Sequence, residues 1–125
     1  MREMHIELGG EQVTLAATFK ASVEIADRVA DPLEIAREAS IEATLLTQNL
    51  PYQPKFKFDV KNVPMILWIG MKAAGDSRKL EDVQELVFEE GFIAARDIVL
   101  TYLASIVVPK SESVEESTKD TDSGE

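Results

Sequence analysis

The sequence predicts a mainly α protein: a small helical bundle of about four to five helices with an N-terminal β-hairpin and a disordered acidic C-terminal tail. Three observations carry this. Apolar residues alternate with polar ones on both sides of Gly9-Gly10, the period of a strand. From Thr18 the apolar spacing turns helical, and each break carries residues that start or stop helices. Beyond Pro109 only one large apolar side chain, Val114, remains, too little to support a packed core.

In the hairpin, Met4, Ile6 and Leu8 alternate with Glu3, His5 and Glu7, and Val13, Leu15 and Ala17 with Gln12, Thr14 and Ala16. Gly9-Gly10 supplies the positive φ of a tight turn. Such a hairpin needs helices over its apolar face. In the first helix, capped by Thr18, the spacing predicts an inward face of Phe19, Val23, Ala26 and Val29, with Lys20, Glu24, Asp27 and Arg28 turned away. Asp31, Pro32 and Glu34 resemble a capping box with proline at the first helical position, so a second helix runs to about Gln48.

"NLPYQPKFKFDVKN" alternates Phe56, Phe58 and Val60 with Lys55, Lys57 and Asp59 after two prolines. It reads as a long connection or as a third short strand, packed on the core or forming a flap with exposed aromatics. Asn62 is the expected cap of a third helix, with Pro64 in its first turn and Gly75 just past its end. Apolar nearly all round, that helix calls for burial on more than one side, within the fold or against another subunit. The run Val63 to Met71 is less than half of the roughly 20 residues needed to span a bilayer, which excludes a membrane element. Leu80, Val83, Leu86 and Val87 mark a fourth helix; a fifth, beyond Gly91, carries Ile93, Ile98, Tyr102, Ala104 and Ile106. Its apolar character predicts the central position in the bundle. One globular domain over 1–109 and a tail over 110–125 follow.

Net charge is -10, from 23 acidic and 13 basic residues, which opposes binding to phosphate backbones or anionic lipid headgroups. Absence of cysteine from the sequence removes disulfides, thiol catalysis and thiolate metal sites. The first residues, "MREMHIELGGEQ", lack the apolar core of a secretory signal. His5 is the single histidine, so the sequence holds no histidine pair for a metal and no Ser-His-Asp set. Glu89-Glu90 and Glu115-Glu116 are adjacent pairs, and neighbours on a helix point about 100° apart, which does not close on one substrate. Neither "LGGEQ" nor "EEGF" has the glycine spacing that wraps a phosphate. A non-enzymatic protein with no catalytic residue, cofactor or metal is the expectation.

The order "IELGGEQVTLAAT", "FKASVEIADRV", then "VPMILWIGMKAAGDSRKLEDVQELVFEEGFIAARDIVLTYL" resembles the small tail assembly chaperones of long-tailed bacteriophages and gene transfer agents, over about Ile6 to Leu103. It rests on turn glycines, on Gly70 and Gly75 and on the "LEDVQEL" helix start, which are patterns of hydrophobicity and not a catalytic signature. The resemblance implies a mostly helical protein without cofactor. It implies binding to the tape measure protein, which is kept soluble while tail tube subunits assemble round it. It further implies a frameshifted longer form that recruits the tail tube protein, a homo-oligomer, and residence in the bacterial host cytoplasm with absence from the mature virion. Phe56, Phe58, Trp68 and Met71 are the candidate partner-binding residues; Trp68 and Met71 also suit a core. The stripe from Leu80 to Val87 is a second candidate surface. Two other readings stand beside this one. An acidic DNA mimic requires carboxylates on one rigid face, whereas many here lie in the tail, and a structural head-tail joining protein would persist in the particle.

Overall fold

The structure, a computed structural model, describes residues 2–50 and 59–108. The reading of 49–62 as connection or strand therefore falls largely outside the described residues, as does the acidic tail. Strands β1 (Arg2–Leu8) and β2 (Glu11–Ala17) pair antiparallel, from Leu8 opposite Glu11 to Arg2 opposite Ala17. Helices α1 (Phe19–Arg28), α2 (Pro32–Thr47), α3 (Asn62–Ala73), α4 (Leu80–Glu90) and α5 (Phe92–Val107) follow. Mainly helical with an N-terminal hairpin, the architecture is the expected one.

Gly9 and Gly10 have φ of 58° and 85°, the double positive φ of a type I′ turn. The same turn docks on α4: the Gly9 N–H donates to Glu90 Oε1 at 2.9 Å, and a Cβ on Gly9 would lie 2.9 Å from the Leu86 carbonyl oxygen. At the other end of the hairpin the Arg2 guanidinium donates to the carbonyls of Ser105 and Ile106. That places a cation on the C-terminal, electronegative end of α5.

The hydrophobic core lies between the inward face of the hairpin and the helices, with Leu8, Leu15, Ile25, Ile66, Leu67, Val83, Val87 and Val99 fully buried. Its central element is α3 and not α5. Helix α3 packs on β2, α1, α4 and α5 and buries Val63, Pro64, Ile66, Leu67, Ile69, Gly70 and Met71, which is burial on several sides within the fold. Helix α5 buries the single stripe Ala95, Val99, Tyr102 and Leu103. Ile93 is 74% exposed because it lies off the 95–99–102 row. Helix α3 also starts differently from expectation. Asn62 is its first helical residue, and the Asp59 carboxylate accepts from the N–H groups of Lys61 and Asn62 at 3.0 and 2.8 Å. It ends as expected: Gly75 has φ 92°, Gly75 N–H bonds the Lys72 carbonyl and Asp76 N–H that of Met71, a Schellman closure.

Helices α1 and α2 start on the expected caps. Thr18 Oγ1 accepts from Ala21 N–H at 3.0 Å and Asp31 Oδ1 from Leu33 N–H at 2.9 Å. Glu34, expected to reach back to its cap, lies 3.7 Å from Arg37 instead. Helix α1 is turned from the expected facing: Ala21 and Ile25 are buried, Phe19 is 85% and Val23 42% exposed, and of the expected face Val29 packs against the core. The helix carries two apolar stripes, and the one with small Ala21 meets α3 because it allows close approach. Among the described residues no helix is long and apolar enough to cross a membrane.

A candidate docking trough on helix α1

The turned-out stripe of α1 builds an apolar surface feature shared between elements. Phe19, Val23 and Ala26 stand at helical spacing along α1. Pro32 and Leu33 at the start of α2, and Ile106 and Val107 at the end of α5, form the opposite wall. Between them lies an open depression of about 400 Å³. Leu33 is 65% exposed, so the large side chains of this trough, Phe19 and Leu33 above all, stand in solvent although each belongs to a helix anchored elsewhere in the core. Exposed apolar side chains gathered on one surface make it a candidate for interaction.

On the other flank of Phe19 and Val23 lies a second shallow depression of about 650 Å³, lined by Lys20, Glu24, Asp27, Arg28 and Lys72. Glu24 Oε2 holds two cations there, Lys72 Nζ at 2.8 Å and Arg28 Nε at 3.0 Å. Both cations lie over the indole of Trp68, at 4.0 Å for Lys72 and 5.5 Å for Arg28. The ring N–H donates to the Arg78 carbonyl at 3.1 Å. Arg78 in turn bonds Asp76 and Glu11 at 2.6 and 2.5 Å. The Glu11 hydrogen bond foremost, then the charge of Asp76, raises its pKa against the opposing effect of burial. Half-buried Trp68 is thus a structural joint between α1, α3 and the approach to α4.

Of the four residues read as partner-binding, the structure describes two. Met71 is 1% exposed and part of the core cluster, so in this fold its side chain has no surface to offer, and Trp68 has its ring face covered by cations. Phe56 and Phe58 lie outside the described residues. The stripe from Leu80 to Val87 turns Val83 and Val87 fully inward. Phe19, Val23 and Leu33 were not candidates. Their spacing was visible, but spacing alone does not say which stripe of a helix faces the core.

His5 lies on the exposed face of β1, its Nδ1 3.0 Å from Thr14 Oγ1 and its Nε2 4.0 Å from Glu3, and it is not among the residues that line the two depressions described above. Among the described residues no group of three or more His, Asp or Glu is placed to hold a metal ion. A further apolar pair, Phe88 and Phe92, meets edge to face at 6.4 Å beside exposed Ile93 at the α4–α5 corner. Comparison with known proteins finds no matching family model, no matching curated protein and no matching solved structure.

Proposed function

We propose that this protein is a non-enzymatic tail assembly chaperone of a long-tailed phage or gene transfer agent. It binds the tape measure protein in the host cytoplasm and keeps it soluble while tail tube subunits assemble. The sequence resemblance supplies the biological role, and the observation that gives it a physical basis is the trough on α1. A holding chaperone works by covering apolar helix faces, and an exposed apolar helix ridge beside a second wall is the surface on which another helix can pack. The net charge of -10 keeps such a complex from coalescing. Recruitment of tail tube protein through a frameshifted longer form, and self-association, belong to the same proposal.

Co-expression with a tape measure protein tests it. The expected result is a marked rise in that partner's soluble fraction, co-purification of the two chains, and absence of this chain from purified particles. Unchanged solubility without co-purification overturns the proposal, and recovery of the chain in finished particles favours a joining protein.

A further inference from the structure

We propose that the outer edge of β1 takes up an extended segment of another protein as a third strand, one that sets lysine or arginine opposite Glu3 and Glu7 and apolar side chains beside Met4 and Ile6. The proposal stands apart from the trough on α1 and from the chaperone reading.

Backbone comes first. The sheet has two strands, so β1 has a neighbour on one side only. Across the two-residue turn, Leu8 and Glu11 form the closing hydrogen-bonded pair. Antiparallel ladders alternate. Ile6–Val13, Met4–Leu15 and Arg2–Ala17 are therefore hydrogen-bonded pairs too, while Glu3, His5 and Glu7 point their N–H and C=O groups away from β2. The other strand keeps the same alternation: Ala16, opposite Glu3, turns its carbonyl away from β1 and accepts from the Tyr102 hydroxyl at 2.8 Å. Among the described residues, no backbone group outside the hairpin bonds to the backbone of Glu3, His5 or Glu7. Three donors and three acceptors thus lie in a row along one edge, in a register without a bulge. Strand addition works on such a template.

Side chains choose the occupant. On the inner face Val13 and Leu15 of β2 are buried, whereas their partners Ile6 and Met4 are only half-buried. The apolar face runs out at β1, and apolar residues of an added strand complete it. On the outer face Glu3, His5 and Glu7 are exposed. Glu3 meets only the His5 ring, at 4.0 Å, and among the described residues Glu7 meets no cation. The row therefore offers carboxylates that no lysine or arginine balances. Residues directly opposite on an added strand come within about 5.5 Å between Cα atoms, where opposite charges favour pairing and like charges oppose it. A second copy is the wrong occupant: paired antiparallel along the whole of β1 it sets Glu3 against Glu7 twice, and each chain carries a net charge of -10.

The probe is a labelled nine-residue peptide alternating lysine with valine, titrated against the full chain at low salt. One control carries glutamate in place of lysine. The other is methylated on the backbone nitrogen of each lysine, which keeps the charge and removes the N–H groups that would face β1. Two full-length variants accompany them. E3K/E7K reverses the charge of the edge, and H5P removes one outward donor without touching a bond to β2, a place where edge strands tolerate proline.

The lysine peptide is expected to bind at least about 10-fold tighter than the glutamate peptide, as opposite-charge pairs replace like-charge ones. Loss of the edge hydrogen bonds should weaken the methylated peptide at least about 10-fold. E3K/E7K should reverse the order of the lysine and glutamate peptides. H5P, its fold checked by thermal melting, should bind the lysine peptide as weakly as the unmodified chain binds the methylated one, and the methylated peptide asks the same question without altering the protein. Equal binding of the methylated peptide, an unchanged preference in E3K/E7K, or full binding by folded H5P overturns the proposal. Self-association of the full chain that is lost in H5P overturns it in favour of a second copy. Binding that appears only in K55E/K57E overturns it in favour of the chain's own residues 55–58 as occupant.

Discussion

The hydroxyl of Tyr102 on α5 donates to the carbonyl of Ala16 on β2 at 2.8 Å, passing over Gly70 of α3, where a Cβ would meet Tyr102 Cζ at 2.9 Å. Three elements converge on one fully buried phenol, and the glycine exists to admit it. Gly70→Ala forces the ring or the helix to shift, with Leu15 Cδ2 a further 3.3 Å neighbour. The expected cost is about 1–3 kcal/mol, read as a lowered denaturation midpoint in urea with the slope unchanged.

Tyr102→Phe leaves the Ala16 carbonyl without this donor, at an expected cost of about 1–3 kcal/mol. It also changes the pH dependence. Burial pushes the phenol above its ordinary value of 10.0, so the native state keeps a proton that the unfolded chain releases. The resulting stabilisation is complete below about pH 10 and declines as pH rises past it towards the native value, at up to about 1.4 kcal/mol per pH unit. Urea titrations between pH 8 and 11 should show a shallower alkaline loss in the variant.

Asp59→Ala removes the acceptor for the Lys61 and Asn62 N–H groups at the start of α3. About 0.5–2 kcal/mol of stability should be lost, with the start of α3 exchanging its amide protons faster than the Gly70–Met71 region.

Much of this fold is legible because the signals are local. Thr18, Asp31-Pro32, Gly9-Gly10, Gly75 and Gly91 act on backbone groups a few positions away, and each does in the structure what its chemistry predicts. Asp59 and Asn62 are both good capping types three positions apart, and only the approach of the chain to α3 chooses between them. The facing of α1 was not legible, since Phe19–Val23 and Ala21–Ile25 are both apolar rows and the choice belongs to α3. For the same reason the central place expected of α5 falls to α3, whose expected burial on more than one side is found. The candidate site was the least legible: residue type alone selects Trp68 and Met71, and nothing local says that Phe19 and Val23 face outward.

Phe19→Ser combined with Val23→Ser should separate stability from binding. Both side chains stand in solvent, so their removal is expected to change unfolding free energy by no more than about 0.5 kcal/mol. Solubilisation of a co-expressed tape measure protein should be lost. Solubilisation at the level of the unmodified chain would move the docking surface elsewhere, with the Phe88–Ile93 corner next in line.

Glu24→Gln leaves Lys72 and Arg28 without their shared carboxylate. Since all three side chains are part-exposed, the expected loss is at most about 1 kcal/mol, shrinking as salt is added. Trp68 fluorescence should shift as the two cations loosen above the ring.

The clasp of Arg2 on the Ser105 and Ile106 carbonyls joins positions 103 and 104 apart in the chain, and the Gly9–Glu90 and Tyr102–Ala16 bonds span 81 and 86. The opening hairpin therefore stays unsecured until almost everything after it has been synthesised. Despite its helical content, the protein should mature late and as a whole, at a rate governed by those distant closures, and a chain interrupted within the last helix would lose the fastening of its first strand.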